Sequence, residues 1–259
     1  MRALSATRVR AVLVKEFRAY RRNKFILYTM MLLPVVFLAA PITTILNLPA
    51  TAPEARVQVA VGVIFLLMLL VPVIVPATIA AYSVIGERDQ GTLEPVLTTP
   101  IRREEFVLGK ALASILPGVA LSYVFFAVIM TILRLFGHPN VVHALWQVHW
   151  LVADVLFTPL LGAWSTWVGT AISARSTDVR VAQQLGTLAS LPALAVTSLM
   201  TFQVLQPTVT VALIVAGVLV VLDVAALRVV SNLFDRERLI TGAHATRVDE
   251  TSPRGAPMS

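Results

Sequence analysis

Charged residues fall in clusters along this chain, and long apolar runs separate them. Residues 25–48, 57–85 and 111–133 carry no charge, and 151–173 carry only Asp154. Each run is long enough to cross about 30 Å of hydrocarbon as a helix, which takes roughly 20 residues. No charge appears between Val181 and Leu222, a stretch too long for one crossing. Gln206-Pro207 divides it into spans over 181–205 and 208–230, because proline has no N–H to give and favours a turn. The pattern therefore predicts an all-α integral membrane protein with six transmembrane helices. A β-barrel would alternate apolar and polar residues over about ten residues per strand. A secretory leader would show a shorter apolar core and a small-residue cleavage site. Prolines 34, 41, 72, 76, 117, 159 and 192 fall inside the spans. A bundle tolerates them when neighbouring helices satisfy the carbonyls they free.

The segment before the first span has helical period. Val9, Val12, Leu13, Phe17 and Tyr20 share one face, while Arg8, Lys15, Arg18, Arg21 and Arg22 share the other. A basic amphipathic helix ahead of a span lies in the headgroup plane. Glu16 falls on the apolar face, where a carboxylate is costly unless paired. It is expected to meet a cation on another inner element.

Composition narrows the class further. Hydrophobic residues make up 57% of the chain and charged residues 14%, against about 25% charge in a soluble domain. The mean hydropathy is +0.82. The cysteine count of 0 excludes disulfides, thiolate metal sites and cysteine catalysis. The net charge of +7 comes from 21 Lys and Arg, all but Arg56 and Arg134 on one side of the predicted topology. That asymmetry places both termini in the cytoplasm, so the basic pI reports orientation and implies no nucleic-acid partner. The chain divides into an amphipathic arm (1–24), a six-helix transmembrane domain (25–230) with an inner loop at 86–110, and a cytoplasmic C-terminal segment (231–259). Composition predicts disorder from about residue 242.

The inner loop interleaves carboxylates and cations around an apolar stripe of Leu93, Val96 and Leu97, and Thr99-Pro100 reads as a helix start. A short charged amphipathic helix of this kind suits docking to a partner. Its sequence runs Glu87-Arg88-Asp89-x-Gly91-Thr92-Leu93-Glu94-x-x-Leu97-x-Thr99-Pro100-Ile101, followed by Gly109-Lys110. It resembles the inner loop of ABC-2 type transporter permeases. Lys15-Glu16-Phe17, the segment from Ser173 to Arg180 with Ala182-Gln183-Gln184, and Phe234-Asp235-Arg236-Glu237-Arg238-Leu239 are similar to other parts of that family in the same order. The resemblance implies the permease subunit of an ATP-driven exporter in the plasma (inner) membrane. It implies two copies of a separate ABC ATPase subunit, and a second permease subunit giving a homodimer or heterodimer. The arm, with Glu16 and Phe17, would be an elbow helix. Glu87, Arg88, Asp89, Gly91, Thr92, Leu93, Glu94 and Leu97 would form the coupling helix.

Nucleotide chemistry is not expected on this chain. Gly86-x4-Gly91 has the glycine spacing of a P-loop, but Thr92-Leu93 stands where Lys-Ser/Thr is required. The chain is expected to be no enzyme and to use no cofactor. His138, His143 and His149 lie at spacings of five and six, which do not make a helical metal-ligand face. Gly162, Thr166 and Gly169 form a small-residue ridge suited to close helix contact.

Asp154 lies near the outer end of its span and is expected to reach the interface. Asp223 lies deeper, where a carboxylate costs about 2.5–3.5 kcal/mol on insertion scales. Either an ion pair with Arg228 or a place on the substrate pathway accounts for it. The rival class is a channel or secondary transporter of similar topology, which would carry more polar residues at mid-membrane.

Overall fold

The computed structural model describes residues 5–22, 24–89, 103–173, 179–188, 191–202 and 204–250. These form α1 (Ala6–Arg22), α2 (Lys24–Leu46), α3 (Glu54–Met68), α4 (Leu70–Asp89), α5 (Arg103–Phe136), α6 (Pro139–Leu145), α7 (Val148–Ser173), α8 (Val179–Leu188), α9 (Leu191–Thr201) and α10 (Val209–Glu250). Among the described residues, four stretches are long and apolar enough to cross a membrane: Glu54–Ala81, Glu105–Phe136, Val148–Ser173 and Val209–Val230. They coincide with the second, third, fourth and sixth predicted spans. The first corresponds to α2, a helix of 23 residues that is uncharged after Lys24. The fifth, 181–205, corresponds to two described helices, α8 and α9. Pro192 is the second residue of α9.

Two further boundaries differ from the sequence pattern. α3 and α4 make one apolar run interrupted at Leu69, since Pro72 has no N–H for the carbonyl of Met68 one turn earlier. α10 continues as helix to Glu250, beyond residue 242 where composition predicts disorder. Gly242 weakens a helix by about 1 kcal/mol without ending it, and the next proline is Pro253.

The core is a pair of helices, α4 on α7, with α5, α8 and α10 packed around it. Residues 71–81 of α4 are all buried. Small residues permit this approach. A Cβ on Gly169 of α7 would lie 3.2 Å from the Ala80 Cβ, and one on Gly118 of α5 would lie 2.5 Å from the Pro76 Cγ. Gly162, Thr166 and Gly169 thus act as the packing ridge that their spacing predicts.

The prolines leave carbonyls that neighbouring helices take up. Pro76 cannot donate to the Pro72 carbonyl, and the Ser165 hydroxyl of α7 can donate to that oxygen at 3.3 Å or to the Gly162 carbonyl of its own helix at 3.1 Å. Pro159 cannot donate to the Val155 carbonyl, and the Tyr123 hydroxyl of α5 donates there at 2.9 Å. A freed carbonyl inside hydrocarbon needs such a partner.

At the end of the bundle away from α1, α6 lays Val141, Ala144 and Leu145 onto α3. They join a core with Val57, Val61, Ile64 and Phe65.

Candidate functional site at the α1 end of the bundle

α1 is amphipathic and uses that face. Val12, Glu16 and Tyr20 are buried along one side, one turn apart. Tyr20 packs with Val71, Val75 and Ile79 of α4 and Ala113 of α5, and Phe17 flanks it with its ring edge-on at 6.3 Å.

Two acid–base contacts fasten α1 to the start of α5. The Glu16 carboxylate lies 3.7 Å from the Lys110 ammonium, and both side chains are 6% exposed. Lys15 also approaches Glu16, at 3.8 Å. The Glu105 carboxylate, 1% exposed, accepts the Ser5 backbone N–H at 2.8 Å and the Arg8 guanidinium at 3.3 Å. Between these contacts α1 presses on Gly109, where a Cβ would lie 2.8 Å from the Val12 Cβ. Glycine is required here for close approach, and Glu105 and Gly109 share a helix face because they are one turn apart. Lys110 adds a cation over the Phe106 ring at 5.0 Å. The Glu16 anomaly in the sequence thus has a structural answer in Lys110.

α4 ends at Asp89 and α5 starts at Arg103, so α5 carries the contacts with α1 and also leaves the inner loop. Glu87, Arg88 and Asp89 lie in the last turn of the α4 backbone. Gly91, Thr92, Leu93, Glu94 and Leu97, with the helix start at Pro100, lie outside the described residues. Sequence reasoning left Glu105 and Lys110 without a role. The signal for them was weak: two ionisable residues entering an apolar span, with meaning only once α1 is placed beside them.

The interior acids behave differently. Asp223 is 8% exposed, and both its carboxylate oxygens are buried without a hydrogen-bond partner. It lies on the α10 face whose neighbours Leu219 and Val230 pack against α7 residues. The structure does not pair it with Arg228. Five residues on a helix turn about 140° beyond a full turn, and Arg228 is exposed while Asp223 is buried. Asp154 also departs from expectation. It is 3% exposed inside the protein and does not reach an interface. Among the described residues no cluster of His, Asp or Glu could hold a metal ion. The arrangement offers buried ion pairs and close helix contacts, which can bind and transmit movement.

No curated protein matches the chain. A family model described as ABC-2 type transporter matches residues 7–209, from α1 to the first residue of α10.

Proposed function

The chain belongs to the ABC-2 type transporter family, and from that premise we propose that it is the pathway-forming subunit of an exporter driven by a separate ATPase. It is a multi-pass membrane protein of the permease class. In the proposed reading six helices cross the plasma membrane with both termini in the cytoplasm. Two permease subunits stand side by side over two ATPase subunits. Glu87, Arg88, Asp89, Gly91, Thr92, Leu93, Glu94 and Leu97 dock on the ATPase. α1, with Glu16 and Phe17, is the elbow helix.

The observation that carries this reading is the family match across α1, the inner loop and the apolar helices up to α10. The α1–α5 contacts give it a mechanism. Movement of the loop by the ATPase reaches α5 at Arg103 and passes through Glu105–Arg8 and Lys110–Glu16 to α1. Chains of packed side chains and ion pairs carry coupling of this kind.

The test is capture of the full chain from its own membrane, followed by mass spectrometry and transport assay. An ABC ATPase should co-purify, and reversing charge at Glu87 and Glu94 should abolish its capture while the chain still inserts. Wild-type capture and transport in the double reversal would overturn the docking assignment.

A further inference from the structure

At the end of the bundle away from α1, the last turn of α5, α6 and the start of α7 frame an open groove of about 740 Å³. The groove follows from the pattern of α6. Val141, Ala144 and Leu145 are its buried residues, so Val142, His143 and Trp146 turn the opposite way and line the groove with Arg134. Gly137 makes this return of the chain possible. A Cβ there would run into the Leu133 carbonyl oxygen, which instead accepts the Gly137 N–H at 2.9 Å.

Arg134 stands at a defined depth. The uncharged part of α5 before it, residues 111–133, rises about 34 Å as a helix, against about 30 Å of hydrocarbon. The guanidinium therefore lies among lipid headgroups. Its Cζ is 5.6 Å from the centre of the Trp146 ring, a contact that holds a cation against the indole face. Among the described residues none of the ion pairs includes Arg134, and no carboxylate lines the groove. A guanidinium carries five N–H donors in a fork that fits a phosphate with two parallel hydrogen bonds.

The surroundings select the kind of anion. From Arg134 toward mid-membrane, exposed Val124, Val128 and Leu135 share one face of α5. Phe136 beside them is 72% exposed. This apolar track fits acyl chains and gives nothing to a soluble phosphate. A headgroup ammonium is poorly served, since no acid receives it and the Trp146 ring already carries a cation.

We propose that the groove holds one phospholipid with an anionic headgroup that lacks an ammonium group. Its phosphodiester sits on Arg134 and its acyl chains run along α5. In the proposed topology this lipid belongs to the outer leaflet. The site needs only that α5 spans the membrane, and it does not rest on the ATPase reading.

The experiment is a lipid titration of the full chain in phosphatidylcholine nanodiscs. The chain has 0 cysteines, so an environment-sensitive fluorophore on Leu135→Cys reports from the edge of the groove alone. Phosphatidylglycerol replaces phosphatidylcholine stepwise at constant ionic strength. The emission should shift and saturate at a small phosphatidylglycerol fraction. Arg134→Gln should move half-saturation to about tenfold more phosphatidylglycerol, as loss of hydrogen bonds to a charged group predicts. Arg134→Lys should fall between, because an ammonium keeps the charge and loses the fork. Arg134 is exposed, so both variants should melt with the parent. Arg18→Gln combined with Arg21→Gln, on the exposed face of α1, should leave the curve unchanged.

A separate arm adds inorganic phosphate or glycerol 3-phosphate to discs of phosphatidylcholine alone, and no shift should follow. A saturating shift there would show that the groove takes a soluble anion and would overturn the lipid. An emission change that grows linearly with phosphatidylglycerol would report surface charge only and would overturn the site. So would a saturating curve that Arg134→Gln leaves unmoved, or one that the α1 substitutions abolish.

Discussion

At the α1 end of the bundle, Glu16 and Glu105 are buried facing cations, Lys110 at 3.7 Å and Arg8 at 3.3 Å. Within the apolar helices, Asp223 is buried facing none, with both oxygens lacking a hydrogen bond. The contrast follows from reach. Lysine and arginine carry charge on long flexible stems, so helix ends can bring a cation to a carboxylate. Deep in a span, none of the described residues pairs a cation with Asp223. A buried pair orients the elements it joins, and removing one member is costly because the other is left charged and desolvated. A solitary interior acid joins no two elements and is costly to hold in its charged form.

The largest effect that can break this comparison lies in the Glu16–Lys110 pair. Glu16→Ala or Lys110→Ala should each lower stability by about 3–5 kcal/mol. The double variant Glu16→Leu/Lys110→Met should recover most of that loss, because an apolar pair needs no compensation. Thermal denaturation of the four proteins in detergent measures the coupling. Simple addition of the two losses would mean that these acids are as solitary as Asp223.

A smaller effect sharpens the rule for neutral groups. Tyr123→Phe removes the donor to the Val155 carbonyl and should cost about 1 kcal/mol. In a Pro159→Ala background position 159 regains its N–H, so the same change should cost nothing. If Tyr123→Phe costs the same in both backgrounds, the freed carbonyl is not what the hydroxyl serves.

The smallest effect concerns Asp223 itself. Asp223→Asn should leave the unfolding midpoint at or above wild type, and Arg228→Gln should change stability by less than about 0.5 kcal/mol. The two changes should add. Coupling between them would restore the ion pair that the structure does not form, and Asp223 would then join the acids of the α1 end.

Much of the scaffold was readable in advance, and the reasons are specific. The runs at 57–85, 111–133 and 151–173 became helices because apolar length with few charges leaves a helix as the only structure that satisfies its backbone in lipid. The face of α1 was readable from Val12, Glu16 and Tyr20 because one helix's period is local information. For the site, Glu16 announced a missing partner, but Lys110 is 94 residues away in sequence. Asp154 was misread because its position along the span gave its depth, and its direction around the helix was undetermined.

That division has one physical cause. Hydropathy and charge bias are sums over neighbouring residues, so the sequence alone determined a membrane protein, the placement of most of its apolar helices, the amphipathic arm and the loop motif of its family. Burial and pairing depend on the rotational phase of helices that come from distant parts of the chain. Only the tertiary structure decided that Lys110 meets Glu16, that Tyr123 takes up the carbonyl freed by Pro159 and Ser165 comes within reach of the one freed by Pro76, and that Arg228 turns away from Asp223 while Asp154 turns inward. A rotation of any one of these helices by half a turn would leave every hydropathy window unchanged and remove the contacts that helix makes.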